Sequence, residues 1–76
     1  MQAKAAISSN RRVAKRVRQM RRAKRWSQEV FAERCGLHRT YIGMIERGEG
    51  NITLDTLDLL AAALQVPSSA LLHERK

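Results

Sequence analysis

The segment that most constrains the fold is residues 27–48, with the sequence SQEVFAERCGLHRTYIGMIERG. Its apolar residues form two groups, each the length of a short helix, on either side of Gly36. Glycine readily adopts the left-handed backbone conformation that ends many helices, so a tight turn is expected there. Ser27 and His38 precede the two groups as N-caps. The inward-facing residues are Phe31, Ala32 and Cys35 in the first helix and Ile42 and Ile45 in the second.

The second of these helices turns a polar face outward, formed by His38, Arg39, Thr40 and Arg47. Two short helices joined by a tight turn are typical of a helix-turn-helix motif. In that motif the second helix enters the major groove of DNA. The segment therefore predicts a recognition helix over residues 39–47, preceded by a supporting helix.

Another helix is expected before this pair. An N-cap among residues 8–10 (SSN) begins it, and it runs to about Lys24. Its apolar residues repeat with the spacing of one helix face. Trp26 follows and is expected to cover the junction with the next helix. The apolar stripe consists of Val13, Val17 and Met20.

Two more helices are expected at the C-terminal end. Thr53 caps a fourth helix with a wide apolar face, and Pro67 precedes a short fifth helix at about residues 68–72. The apolar face consists of Leu54, Leu57, Leu60, Ala61 and Leu64. The pattern predicts an all-α fold of five short helices around one core. We expect a flexible basic N-terminal arm, residues 1–10, followed by one domain, residues 11–76.

Charge is distributed unevenly along the chain. Residues 1–25 contain ten Lys and Arg and no Asp or Glu, whereas residues 26–76 contain five Lys and Arg against seven acids. The formal net charge of +8 therefore comes from the first third of the chain. A block of one sign repels itself unless a polyanion neutralises it. The pattern predicts a polyanionic partner such as DNA.

The sequence offers little for other chemistries. The single cysteine, Cys35, excludes an intrachain disulfide, and its place on an apolar helix face indicates a packed side chain. His38 and His73 are far apart and suggest no zinc site. No carboxylate pair or nucleophile with its base can be assembled, so we expect no enzyme, cofactor or metal. No apolar run approaches the roughly 20 residues that cross a bilayer, and we expect a cytoplasmic protein.

Several motifs then follow one another in a fixed order over about residues 11–72. They are Arg21, SQ at 27–28, Ala32, Gly36, RTYI at 39–42, IERG at 45–48 and TL at 53–54. With them the chain resembles the Cro/repressor-type helix-turn-helix family, often called the XRE family. Within that family, RTYIGMIERGEGNITLDTL is similar to the controller proteins of restriction-modification systems. The resemblance implies a compact lambda-repressor-like domain that binds double-stranded DNA as a transcriptional regulator.

Arg39, Thr40 and Met44 are the candidates for reading bases. A guanidinium at the amino end of a recognition helix can bind guanine O6 and N7 together, worth about 1–3 kcal/mol of discrimination. A phosphate contact is the alternative for Arg39. Thr40 can offer its methyl group or its hydroxyl to a base edge, or be a plain exposed residue. Met44 can touch a thymine methyl group or complete the core.

A second set is expected to hold the DNA backbone: Gln28, His38, Tyr41, Arg47 and Asn51. Gln28 lies at the amino end of its helix, where free N–H groups favour phosphate, and the resemblance implies the same contact. Arg47 lies at the end of the recognition helix and Asn51 follows in the loop, where phosphate contacts fix the register without reading sequence. The alternative for Arg47 is an ion that caps the helix, and for His38 a simple cap.

The resemblance also implies a buried ion pair between Arg21 of the first helix and Glu46 of the recognition helix. Such a pair orients the recognition helix but can add little net stability. Neither residue is therefore expected to contact DNA.

A homodimer is expected from the apolar C-terminal residues Leu64, Val66, Leu71 and Leu72. Little chain follows Leu71 and Leu72, and an exposed apolar patch favours self-association. Two copies of the recognition helix would then lie about 34 Å apart on a roughly palindromic duplex. The alternative is that these leucines complete the core of the monomer. In a chain of this length we expect no separate small-molecule domain.

Two other functions stay open at this point. One is an antitoxin, which binds both DNA and a protein toxin. The other is a basic module that binds RNA or an anionic membrane without sequence preference, as basic amphipathic helices do. The stripe of the first helix is narrow and weakly apolar, which argues against a membrane anchor.

Overall fold

The computed structural model of the chain describes residues 2–72, with the side chains from residue 11 onward. Five helices form over this range, and they confirm the expected all-α fold. They are α1 (Gln2–Ala23), α2 (Gln28–Cys35), α3 (Arg39–Glu46), α4 (Leu54–Leu64) and α5 (Ser69–Leu72). The described residues contain no strand.

The turn between α2 and α3 forms for the reasons that the sequence suggests. Ser27 Oγ accepts a hydrogen bond from the Val30 N–H at 3.0 Å, which caps α2. Gly36 ends that helix in the left-handed conformation, with φ of 74°. His38 Nδ1 then accepts a hydrogen bond from the Thr40 N–H at 3.0 Å, which caps α3. Both helices therefore start at the predicted residues.

Helix α1 begins earlier than predicted. Its backbone is helical from Gln2, so the N-cap expected among residues 8–10 is wrong. The preceding sequence, QAKAAI, is rich in good helix formers, and these residues extend the helix through two serines and an asparagine. Independent movement of residues 1–10 as an arm stays a prediction.

The core lies where all five helices meet. Trp26 covers it from outside α2, because its ring stacks on Phe31 with the ring centroids 6.1 Å apart. The Arg34 guanidinium lies 4.7 Å from the centroid of the same indole ring. The largest fully buried side chains are Val17, Phe31, Ile42, Ile45, Leu60 and Leu71.

Two expectations about the C-terminal apolar residues are wrong. Leu54 is 77% exposed, because the first turn of α4 lies outside the core cluster. Leu64 and Leu71 are buried in the monomer, so neither can lie at an exposed dimer interface. The physical reason is that α5 folds back onto α1, where Arg16 Nε donates to the Ala70 carbonyl oxygen at 3.3 Å.

Two of the four proposed interface residues remain near the surface. Leu72 is 44% exposed, and Val66 is partly buried against the core. Ser68 Oγ donates to Asp58 Oδ1 at 2.6 Å, which fixes the start of α5 against α4.

None of the described helices is both long enough and apolar enough to cross a membrane.

Candidate nucleic-acid interface

The amino end of α3 presents the two candidates for base reading to solvent. Arg39 and Thr40 are both exposed, and so is His38 before them. Because His38 accepts a hydrogen bond at Nδ1, the neutral imidazole carries its proton on Nε2. All three side chains therefore offer hydrogen-bond donors or acceptors to solvent.

The middle of α3 is less exposed than the sequence suggests. Tyr41 is partly buried and packs against the core cluster. Met44 is also partly buried, and its Cε lies 3.9 Å from the position that a Cβ at Gly50 would occupy. Met44 therefore lies against the loop after α3, outside the core cluster.

Gly43 lets two polar side chains lie close over α3. A Cβ at this position would lie 3.2 Å from Arg47 Nη1 and 3.9 Å from Gln28 Oε1. Gln28 and Arg47, both predicted to contact the DNA backbone, therefore meet on one side of the recognition helix. Asn51 is exposed in the following loop.

Arg47 is held by a neighbouring acid. Its Nε donates to Glu49 Oε2 at 2.9 Å and its Nη2 donates to Glu49 Oε1 at 3.2 Å. The hydrogen bond from Arg47 lowers the pKa of the Glu49 carboxyl, so this acid stays ionised beside it. Gly48, with φ of 75°, turns the chain so that the two side chains face each other. The Arg47 guanidinium is therefore exposed but already paired with a carboxylate.

The Arg21–Glu46 pair is present and buried. Arg21 Nε donates to Glu46 Oε2 at 2.6 Å and Arg21 Nη2 donates to Glu46 Oε1 at 3.0 Å. Arg21 is 8% exposed and Glu46 is 3% exposed. Arg21 Nη1 also donates to the Trp26 carbonyl oxygen at 2.7 Å. This pair joins α1 to α3 and to the connection before α2.

Gln28 completes the same network, which sequence reasoning did not foresee. Its Nε2 donates to Glu46 Oε1 at 3.0 Å, so both carboxylate oxygens of Glu46 are hydrogen-bonded. Within the described part of the chain, no buried side-chain nitrogen or oxygen lacks a hydrogen-bond partner. A fully satisfied network of this kind holds its members in one arrangement. The first turn of α2 is therefore locked to α3.

A further group of basic residues was not predicted as a site. Arg11, Lys15 and Arg18 recur on one face of α1 and line a cleft between α1 and the carboxyl end of α3. The i, i+4, i+7 spacing of the three is the sequence signal that marks this face. The cleft has a volume of about 320 Å³. We call it the α1–α3 cleft; its full lining is Arg11, Ala14, Lys15, Arg18, Glu46, Arg47 and Gly48.

The described residues contain no group of three or more His, Cys, Asp or Glu that could hold a metal ion. The acids near the candidate surface are committed to arginines instead, Glu46 to Arg21 and Glu49 to Arg47. What the arrangement offers chemically is hydrogen-bond donors and positive charge on and beside α3, which suits binding to phosphates and to base edges.

Comparison with known proteins identifies relatives of the same architecture. The chain is 52% identical over 60 residues to the control protein C.SmaI of Serratia marcescens, a match that covers 79% of this chain and 71% of that protein. It is similar in structure to the restriction-modification controller protein C.AhdI of Aeromonas hydrophila. That match has a TM-score of 0.80 and 38% identity, and it covers 84% of this chain and 97% of the other.

A third relative is a hypothetical transcription factor from Neisseria. Its crystal structure matches with a TM-score of 0.83 and 42% identity, over 86% of this chain and 75% of that one. The family model described as a helix-turn-helix matches residues 17–71, which span α2 and α3 and the helices around them. The chain therefore belongs to the HTH_3 family of helix-turn-helix proteins.

Proposed function

We propose that this protein is a sequence-specific DNA-binding regulator of transcription, with no enzymatic activity, that lays α3 in the major groove. The observation that carries the proposal is the amino end of α3, where Arg39 and Thr40 are exposed while the helix is fixed from behind by the Arg21–Glu46 pair. A rigid helix with exposed donors at its amino end is what direct base reading requires.

The side chains around α3 divide into two roles. Arg39 and Thr40 read base edges, with Met44 in a smaller part because it is partly buried beside the loop after α3. Gln28, His38, Tyr41, Arg47 and Asn51 hold the sugar-phosphate backbone, which sets the register of the helix on the duplex. Such a protein works where the DNA is, in the cytoplasm.

The relatives favour one kind of regulator. The names of C.SmaI and C.AhdI describe a control protein and a restriction-modification controller protein. By this similarity, we propose that the chain controls the genes of a restriction-modification system. Genes for a nuclease and a methyltransferase beside its own gene would support this role, whereas a small toxin gene there would favour an antitoxin.

We further propose that the protein binds as a homodimer to a roughly palindromic operator. Leu72, with Val66 nearby, is the part of the predicted interface that remains accessible. A two-fold axis at this end of the domain gives two copies of α3 for two half-sites, about 34 Å apart along the duplex.

The experiment that tests base reading compares two arginines at opposite ends of α3. Selection from random duplexes first gives the preferred site of the unaltered protein. Arg39→Ala should then lose about 1–3 kcal/mol of discrimination at one base pair in each half-site. Arg47→Ala, the matched control, should weaken binding to all sequences alike.

Two results would contradict the proposal. If selection finds no sequence preferred over random duplex, the protein is not a sequence-specific regulator, and a basic module that binds RNA or a membrane becomes the better interpretation. If Arg39→Ala and Arg47→Ala both weaken binding uniformly, Arg39 contacts a phosphate and the base-reading role is wrong.

A further inference from the structure

We infer that the α1–α3 cleft is a phosphate-binding site that receives one phosphate of the DNA strand that passes the carboxyl end of α3. This inference rests on the proposed function and adds α1 to the DNA-binding surface. The ligand chemistry is that of a phosphate group, because the cleft combines four cationic side chains with a single carboxylate. The cations are Arg11, Lys15, Arg18 and Arg47, and the carboxylate is Glu46.

The one carboxylate in the cleft does not oppose an anion. Glu46 is 3% exposed, and both of its oxygens accept hydrogen bonds from Arg21. Its charge is therefore neutralised inside the protein rather than presented to the cleft. Arg47 is paired with Glu49, so the cations of the opening that keep their charge toward an entering ligand are Arg11, Lys15 and Arg18.

The carboxyl end of α3 also points into this region and would repel an anion if left bare, because it carries the negative end of the helix dipole. Arg18 covers it: Nη1 donates to the Glu46 carbonyl oxygen at 2.6 Å. The guanidinium thus supplies a positive charge at the place where the helix is most negative. Arg18 is in this way both part of the fold and part of the cleft wall.

Among the described residues, Arg11 and Lys15 make no hydrogen bond like the one that holds Arg18 on the end of α3. Both are exposed, and within the described part of the chain neither forms an ion pair. Like charges four residues apart on a helix repel each other, and a bound polyanion relieves that repulsion. These two side chains are therefore the ones free to move onto a phosphate.

The position of Arg47 connects the cleft to the proposed DNA surface. Its guanidinium lies over Gly43 on α3, and the same residue lines the cleft. A backbone strand that passes Arg47 at the end of α3 therefore meets the cleft next. The stem of Arg11 lies beside the turn after α3, since a Cβ at Gly48 would be at an ordinary contact distance of 3.6 Å from Arg11 Cγ.

The test compares neighbouring arginines in the full chain. Arg11 lines the cleft, whereas Arg12, also exposed, does not. Binding to a random 20-base-pair duplex is measured over a range of salt concentrations. Arg11→Gln combined with Lys15→Gln should lower the slope of log K against log salt by about 0.9, as expected when the protein neutralises one phosphate fewer. Arg12→Gln should leave that slope unchanged.

A second measurement distinguishes DNA from a free anion as the source of the phosphate. The amide signals of Lys15 and Gly48 are followed by NMR during titration with the duplex and with sodium pyrophosphate. We expect the duplex to shift both signals and to displace pyrophosphate from them. Pyrophosphate that binds here without competing with the duplex would overturn the assignment to the DNA backbone.

The remaining outcomes separate this inference from the proposed function. If the unaltered protein binds duplex but the double variant keeps its slope, or Arg12→Gln lowers the slope as much, the charge of α1 acts only diffusely and the cleft is not a site. If the unaltered protein binds no duplex at all, both the proposed function and the inference are wrong.

Discussion

Arg21 and Glu46 join α1 to α3 through two parallel hydrogen bonds, at 2.6 Å from Nε to Oε2 and at 3.0 Å from Nη2 to Oε1. Both residues are almost completely buried, so the planar guanidinium and the carboxylate face each other with little access to water. Gln28 adds a third hydrogen bond to the same carboxylate. The orientation of the recognition helix relative to α1 and α2 therefore depends on this carboxylate.

Glu46→Ala should be strongly destabilising, because it leaves the buried guanidinium of Arg21 without its partner. Breaking a buried pair from one side costs about 3–5 kcal/mol. For a domain of this size the melting temperature should then fall by at least about 12 °C. Thermal unfolding followed by circular dichroism measures the shift.

Glu49→Ala is the matched control for this experiment. It removes a glutamate of the same region whose ion pair with Arg47 is exposed, and exposed pairs contribute little to stability. We expect its melting temperature to stay close to that of the unaltered protein. Equal shifts for the two variants would show that burial does not set the strength of the Arg21–Glu46 pair.

The local signals in the sequence are sufficient to predict α2, α3 and the turn between them. A capping serine, a glycine in the left-handed region and periodic apolar residues each act within a few positions of the chain, so they can be read without the fold. The start of α1 differs from the prediction because the SSN tripeptide resembles a cap, whereas the alanines before it favour a longer helix. Propensity over several residues outweighs a single capping signal there.

Cys35 should be unreactive in the folded protein. Burial raises the pKa of its thiol from 9.0 to about 11. At pH 8 about one thiol in a thousand is then the reactive thiolate, against about one in ten in the unfolded chain. Reaction with an aromatic disulfide reagent should therefore be at least about 100-fold slower in buffer than in guanidinium chloride.

The same pKa shift predicts how stability changes with pH. Between pH 9.0 and about 11 the unfolded chain loses the thiol proton while the folded chain keeps it. The free energy of unfolding should therefore fall as the pH rises through this window. Cys35→Ala should lack that part of the decline. A native thiol that reacts as fast as the unfolded one would contradict the burial of Cys35.

Glu49→Gln should strengthen binding to DNA of any sequence. Glu49 holds the Arg47 guanidinium through two hydrogen bonds, and a phosphate must compete with this carboxylate for the same donors. The substitution weakens the hold on Arg47 and also removes a negative charge from beside the proposed DNA surface. Affinity measured by fluorescence anisotropy should rise about two- to fivefold, as expected for the loss of an exposed pair.

The sequence dependence of the Glu49→Gln effect is its main test. The gain should be the same for the preferred site and for a random duplex, because Arg47 is proposed to contact phosphate. In the Arg47→Ala background the substitution should have a smaller effect. A gain confined to one sequence would mean that Glu49 or Arg47 takes part in reading bases.

Tertiary contacts decide the parts of the site that the sequence could not predict. The pairing of Arg47 with Glu49 depends on the turn at Gly48, and the role of Gln28 depends on how closely α2 approaches α3. The α1–α3 cleft exists only because α1 lies against the carboxyl end of α3. Residue types indicate these candidates, whereas their partners come from packing between elements distant in sequence.

The final prediction concerns two adjacent leucines of α5 that sequence alone could not tell apart. Leu71 is fully buried, whereas Leu72 is 44% exposed. Whether α5 folds back depends on its contact with α1, to which Arg16 contributes through the Ala70 carbonyl. The two positions therefore form a natural pair for separating folding from self-association.

Leu71→Asp should unfold the monomer, because a buried leucine is replaced by an uncompensated charge, whereas Leu72→Asp should leave the fold intact. If Leu72 belongs to the proposed dimer interface, Leu72→Asp should sediment as a monomer at tens of micromolar, where a useful regulator dimer should persist. It should also bind a palindromic duplex without cooperativity between half-sites. Leu54→Asp, at the opposite end of α4 and 77% exposed, is the control and should remain dimeric. A dimer that survives Leu72→Asp, or an unaltered protein that sediments as a monomer, would show that the interface lies elsewhere or does not form.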